Sequence, residues 1–256
     1  VVDDHMVSDV DVGSLLSGGL DSSLVTSLMN KKHIKTYSAS FDSNDYDENK
    51  YASLLSKIIY SDHKNIKLNS TNYIDKLEKN IVARSVPLSI PHEIALNELF
   101  KKISRDNKVV MSGEGADELF GGYGRVQSSA FDYKKIKFVK EKLPKIFHKF
   151  LYYILGGRGD FKWINYKNQS DHFIDVYSWF SPKGKKKYLS NNFMNLISND
   201  GKLQNFIFSE FDNLSNLDEY DRVLHFFQKH HLRCLLDRLD FHSMSSGVEA
   251  RVPFCD

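Results

Sequence analysis

The run Ser17-Gly18-Gly19-Leu20-Asp21-Ser22 brings two hydroxyls, two glycines and a carboxylate into six consecutive positions. It stands between an apolar stretch, Val12 to Leu16, and the residues Leu24, Val25, Leu28 and Met29, which recur at helical spacing. A strand feeding a glycine turn and then a helix start is an anion site, because unpaired N–H groups and the positive helix end converge there. Glycine lets the backbone close on a phosphate, and the serines donate further hydrogen bonds. No lysine follows, so the run is not a Walker A loop. An ordinary strand-turn-helix connection could use the same two glycines.

A second run, Ser112-Gly113-Glu114-Gly115-Ala116-Asp117-Glu118-Leu119-Phe120-Gly121-Gly122-Tyr123, sets three carboxylates on a glycine-studded turn directly after the apolar Val109-Val110-Met111. Acidic turns are usually just solvated. Here Gly115 and the Gly121-Gly122 pair read as places of close backbone approach. A third block is Gly247-Val248-Glu249-Ala250-Arg251-Val252-Pro253-Phe254. With these blocks in this order, the chain resembles the synthetase domain of the glutamine-dependent asparagine synthetases. The first loop is similar to their SGGxDS pyrophosphate loop, and the second to SG(D/E)G(A/S)DE(L/V)FGGY. Residues 1–125 and about 220–256 carry the likeness.

The resemblance implies a role for each matching position. Ser17, Gly18, Gly19 and Ser22 would hold the β- and γ-phosphates of ATP, later the leaving pyrophosphate. Asp21 and Asp117 would hold Mg²⁺, a hard ion suited to a few carboxylates beside phosphate oxygens. Leu16 and Ala39 would line the adenosine pocket, and Ser112 and Gly113 the ribose and α-phosphate. Glu114 would take part in forming the acyl-adenylate and in handling the ammonia proton, either by accepting it or by orienting donors around the acyl-phosphate. The implied reaction is ATP-dependent amidation of a carboxylate, aspartate to asparagine, with AMP and pyrophosphate released and ammonia supplied from glutamine. Two rival readings are the same activation on another acceptor, such as a sugar acid, a peptide or a β-lactam precursor, and a nucleotide-binding remnant without turnover.

The chain also departs from the family pattern. It starts at Val1 rather than at a catalytic cysteine, so the N-terminal glutaminase domain is expected to be missing, and a functional lysine beyond the Val-Pro-Phe block is not included. Cys255 replaces the usual leucine and reads as a small hydrophobe. Ser85-Val86-Pro87 lacks the acidic residue that many relatives place before the proline, which bears on the acceptor.

The elements that must position these loops alternate. Ile34 to Phe41 is strand-like, Asp42 to Glu48 a polar loop, and Tyr51, Ala52, Leu54, Leu55, Ile58 and Ile59 recur at helical spacing. His63 to Leu68 is a third strand, helices follow over Asn72–Arg84 and His92–Asn107, and Val109 to Ser112 is a buried strand. Such alternation implies an α/β fold with a parallel sheet and right-handed crossovers. The resemblance makes it a sheet of the ATP-pyrophosphatase type (PP-loop, adenine nucleotide α-hydrolase-like) with a largely helical second half. The expected spans are an α/β core at 1–125, a mostly helical insert at 126–219, and a helical block at 220–256 returning to the site.

The 256 residues carry a net charge of +2, which gives no general drive toward nucleic acid or acidic membranes. No apolar run is long enough to span a bilayer, and two cysteines are too few for a disulfide framework, so a cytoplasmic setting is expected. The lysine-rich stretch from Lys134 to Lys149, interrupted by Pro144, reads as a pair of helices with a solvated basic face. Gly156 to Asp160 reads as a loop. His230 and His231 are adjacent, so they do not share a helix face as paired metal ligands would. No partner beyond the substrates and the glutaminase domain is implied, and a homodimer is left open.

Overall fold

The computed structural model describes residues 1–29, 33–41, 49–148, 150, 166–178, 185, 187–196 and 201–256. The expected loops at Asp42–Glu48 and Gly156–Asp160, and Lys149, lie outside the described residues. Two compact units share the chain: residues 1–116 with 232–256, and residues 117–231.

The first unit is built on a five-stranded sheet, β1 (Val12–Leu15), β2 (Lys35–Ser40), β3 (Asp62–Lys67), β4 (Val109–Met111) and β5 (Glu249–Arg251). The order is β3-β2-β1-β4-β5 and every pairing is parallel. The helices of this unit are α1 (Val2–His5), α2 (Leu20–Leu28), α3 (Asn49–Ile58), α4 (Tyr73–Arg84) and α5 (Glu93–Ile103), with α6 (Ala116–Phe120) starting at its edge. After β3, α4 and α5, the chain returns to the other side of β1 as β4. The strand order therefore reverses between β1 and β4, the place where open α/β sheets bind ligands.

Strand alternation sorts the core onto two faces. Tyr37 and Val110 point to one side, where they pack with Leu99, Phe100 and Ile103 of α5. Val12, Val109 and Met111 point to the other, against Val25 and Met29. Phe100 and Val110 are fully buried, and an apolar side chain of this kind contributes roughly 1.5–3 kcal/mol. Asn107 lies past the end of α5, which stops at Ile103. Its buried amide accepts from the Tyr37 hydroxyl at 2.9 Å and donates to Asp11 O at 2.9 Å, tying the edge of the strands together.

Two expectations change in detail. The α3 helix forms, but Tyr51, Leu54 and Ile58 lie on its exposed side, while Ala52 and Ser56 face the sheet. The sheet face there is polar: Ser38 donates to Asn49 Oδ1 at 2.8 Å, and Thr36 meets His63 Nδ1 at 2.9 Å. Small residues fit that surface better than leucine does. The second difference is β5, a strand inside the C-terminal block expected to be helical. It also has its helix, labelled α12 below.

The second unit is helical. It contains α7 (Gly124–Lys142), α8 (Gln169–Tyr177), α9 (Asn191–Leu196), α10 (Gly201–Asn213) and α11 (Glu219–Phe226), then a π-helical stretch, Phe227–His231. The Asp218 carboxylate caps α11 by accepting from Tyr220 N and Asp221 N, and Asn168 caps α8 through Asp171 N. The core is aromatic, with Phe173 stacked on Tyr177 and 4.9 Å from the Phe211 ring. Helix α7 ends at Lys142 before Pro144, followed by a single 3-10 turn, Lys145–Phe147. Its lysines are partly paired rather than only solvated: Lys134 lies 3.2 Å from Asp218, and Lys137 3.4 Å from Glu219.

Candidate active site

Leu16 leaves β1 with its side chain fully buried and its N–H donating to Tyr37 O at 2.7 Å. That bond holds the loop's entry against β2, while Ser17 is exposed and Gly18 takes φ of 94°. A positive φ of this size suits glycine, and it turns the chain into the first turn of α2. The Ser17 and Ser22 hydroxyls are 2.9 Å apart, and Ser17 Oγ accepts from Gly19 N at 3.2 Å. Gly19 is the N-cap of α2 with no side-chain cap, so the first-turn N–H groups keep no side-chain partner at that end. Asp21 stands in the same turn, partly exposed. Beneath the loop, Thr26 donates to Ser22 O at 2.7 Å and its hydroxyl meets Ser14, at the same distance.

The loop after β4 closes on this turn. A β-carbon on Gly113 would stand 2.6 Å from Ser22 N and 2.9 Å from the Asp21 carbonyl carbon. Any side chain at 113 would displace one loop or the other. Ser112 is buried, its N–H donates to Arg251 O at 2.8 Å, and its hydroxyl accepts from Glu114 N at 3.2 Å. The sheet thus aligns the second loop through β5 and sets Glu114 just beyond the switch point. Ala39, next to last in β2, lies on the face that packs with the α5 core, two strands away from β4.

Glu114 has a neighbour that the sequence reading did not select. Helix α12 (Leu232–Met244) brings Arg238 Nη2 to 3.5 Å from Glu114 Oε1. The Arg238 side chain is only 13% exposed, so its charge is held in place rather than dangling in water. One turn further on, His242 Nε2 meets the fully buried Glu93 at 3.1 Å. Glu93 also accepts from Ser89 N, Ile90 N and Arg84, and so ties the segment between α4 and α5 to α12. Spacing of four between Arg238 and His242, with Leu235 and Leu239 buried beside them, is the signal that marks this face of the helix. An arginine on an amphipathic helix otherwise reads as solvent-facing.

Burial shifts the histidines here. It pushes His92 below the ordinary imidazole range, and the Arg238 charge adds to that shift. It also lowers His242, against the opposing pull of Glu93. For Glu93, burial raises the pKa, but hydrogen bonds from His242, Ser89 and Ile90 and the Arg84 charge bring the net below the usual carboxylate value. Cys255 is half-buried, and its thiol lies 3.9 Å from Glu114 O.

Asp117 is the first residue of the second unit. Its carbonyl accepts from Gly121 N at 2.9 Å and Gly122 N at 3.0 Å, and its carboxylate occupies the space that a Gly122 side chain would need. The paired glycines are therefore spent on seating Asp117 and on making room at Gly121 for Tyr220. Glu118 is fully buried beside the Tyr123 hydroxyl and 3.9 Å from His231 Nε2, in a structural rather than a site position. His230 pairs with Glu210 at 2.7 Å and His231 with the Tyr177 hydroxyl at 2.8 Å. Among the described residues, no group of three or more His, Cys, Asp or Glu is arranged to hold a metal ion.

A parallel sheet with an uncapped glycine loop after β1 and an acidic glycine loop after β4, in contact at the switch point, defines an α/β domain of the ATP-pyrophosphatase type. The chain belongs to the asparagine synthase family, whose model, asparagine synthase, matches residues 1–256.

It is similar to asparagine synthetase [glutamine-hydrolyzing] 1 of Bacillus subtilis, 29% identical across 98% of this chain and 40% of that protein. Asparagine synthetase [glutamine-hydrolyzing] 3 of the same organism is 24% identical across 98% of this chain and 38% of its own length. A putative asparagine synthetase [glutamine-hydrolyzing] of Mycobacterium tuberculosis is 32% identical over 46% of this chain and 19% of that protein. The chain thus spans about two-fifths of the length of the two Bacillus proteins it matches. No helix among the described residues is long and apolar enough to cross a membrane.

Proposed function

We propose that this chain activates a carboxylate with ATP, releasing pyrophosphate, and passes the acyl-adenylate to ammonia. Aspartate is the proposed acceptor and asparagine the product. The observation that carries the reading is the seating of Gly113 on Ser22, which puts the loop bearing Glu114 against an uncapped helix start built to take phosphate.

In this reading Ser17, Gly18, Gly19 and Ser22 receive the β- and γ-phosphates, and their N–H and O–H donors are in place before charge builds on the leaving pyrophosphate. Leu16 and Ala39 face the adenosine, and Ser112 and Gly113 the ribose and α-phosphate. Glu114 accepts the surplus ammonia proton or orders donors at the acyl-phosphate. Arg238 fixes the Glu114 carboxylate and offers a guanidinium fork to an anionic acceptor.

Asp21 and Asp117 are hard oxygen donors on the two loops, and a pair of carboxylates completed by phosphate oxygens fits Mg²⁺ better than a closed cage of protein ligands does. When bound, the ion would neutralise phosphate charge. Ammonia from glutamine, through a glutaminase domain in a longer polypeptide, is part of the same proposal.

The test is pyrophosphate release with Mg·ATP and ammonium, measured across a panel of carboxylates with product identification by mass. Aspartate-dependent pyrophosphate, AMP and asparagine are expected. Release driven by a sugar acid or peptide instead would move the acceptor. ADP and inorganic phosphate as products would overturn the reaction type.

A further inference from the structure

A cavity of about 450 Å³ opens beyond the carboxyl ends of β2 and β3, between α4 and α5. None of its lining residues belongs to the loops at 16–22 or 112–115. The volume lies within the range of small-molecule pockets, roughly 300–1,000 Å³. Its wall is apolar, formed by Phe41, Leu68, Tyr73, Ile94 and Ala95, and Phe41 remains 58% exposed.

The walls are fixed without a ligand. The Tyr73 hydroxyl donates to Pro91 O at 3.1 Å, joining the start of α4 to the start of α5. Lys102 Nζ donates to Lys67 O at 2.8 Å, joining α5 to β3.

The rim has a charge to match. Among the described residues, Lys67, Lys76 and Lys102 line the cavity with one acid, Glu98. Glu98 is already neutralised by Lys76 at 3.5 Å and Lys101 at 3.1 Å. Lys102 gives one of its three protons to the Lys67 carbonyl and has no acidic partner among the described residues. An apolar chamber whose rim carries Lys67 and Lys102, neither in an ion pair among the described residues, suits a body of one or two rings, or a branched chain, ending in an anionic group.

We propose that this cavity binds a small organic monocarboxylate with an aromatic or branched apolar body, at a place distinct from the proposed nucleotide loops. The geometry commits the carboxylate to Lys102 and the body to Leu68, Ile94 and Ala95.

The probe is 2-naphthoate, titrated calorimetrically into the whole chain beside its neutral analogue naphthalene-2-carboxamide. Saturable one-to-one binding of naphthoate is expected, at least tenfold tighter than the carboxamide and unaffected by Mg·ATP. K102M should remove most of that tenfold preference while leaving the carboxamide within twofold, and K102R should restore it. A95L should fill the chamber and abolish binding of both compounds. If A95L does not keep the wild-type far-UV spectrum, I94F fills the same volume from the adjacent position. No saturable binding at millimolar probe, displacement by ATP, or equal naphthoate affinity in wild type and K102M would each overturn the proposal.

Discussion

Gly113 lies so close to Ser22 that a β-carbon there would stand 2.6 Å from the Ser22 nitrogen, inside any normal contact. The relationship joins the turn after β4 to the first turn of α2, so the two loops share one position. G113A should therefore force the loops apart. Overpacking of this kind typically costs about 1–3 kcal/mol. The expected result is a lowered Tm with ATP affinity reduced at least tenfold, read by thermal melts and nucleotide titration. Wild-type affinity in a folded G113A chain would separate Gly113 from the nucleotide site.

Asp21 should matter through Mg²⁺ rather than through the fold, since it is partly exposed on the first turn of α2. D21N and D117N are expected to keep the wild-type far-UV spectrum while the Mg²⁺ concentration needed for half-maximal pyrophosphate release rises tenfold or more. An unchanged Mg²⁺ dependence in both variants would sink the metal assignment.

Glu114 and Arg238 should separate binding from chemistry. E114Q keeps size and hydrogen bonding but cannot accept a proton at neutral pH, so ATP should still bind while amide formation falls by about 10²-fold or more. R238M should mainly raise KM for the acceptor carboxylate if the guanidinium beside Glu114 is the charge that receives it. A KM for ATP that rises alone in R238M would place the arginine elsewhere in the reaction.

Glu93 predicts a pH response of the fold. Its folded pKa is depressed, so the stability it contributes is present above the unfolded carboxylate value and lost as pH falls through the folded one. His242, lowered by burial, acts in the same sense at higher pH. The unfolded imidazole takes up a proton near its ordinary value while the folded one stays neutral, so stability declines as pH drops below about 6.5. Tm should fall from pH 7 to 5, and further below pH 4.5. E93A should cost about 3–5 kcal/mol, since it leaves Arg84 without its buried partner. H242Q, which keeps a donor for Glu93, should flatten the pH 7 to 5 part of the curve. A Tm independent of pH in the wild type would contradict both shifts.

Much of the first unit is legible in the chain because β1 and β4 are apolar, the β2 run holds β-branched and aromatic residues, and the helices are periodic. Val12 to Leu15, Lys35 to Ser40 and Val109 to Met111 all fall inside runs that read as strands. The strand Glu249–Arg251 does not, since its three residues include two charged side chains and pair along a single edge. The α3 leucine and isoleucine pattern indicates a helix but not its orientation, because the sheet offers Thr36, Ser38 and His63 there rather than an apolar floor. At the site, the glycine loops announce themselves by composition. Arg238 does not, because its role depends on α12 lying beside the β4 loop, a long-range relationship that no local spacing encodes.

The last strand has a kinetic consequence. β5 pairs with β4 in register from Val109 with Glu249 to Met111 with Arg251, partners about 140 residues apart, and the whole helical unit is synthesised between them. Until residue 251 has left the ribosome, β4 presents an open, wholly apolar edge, Val109-Val110-Met111, of the kind that templates pairing between chains. Assembly of the sheet must therefore wait until β5 has been synthesised, and a nascent chain stalled between Met111 and Glu249 would carry that edge unpaired and prone to aggregate.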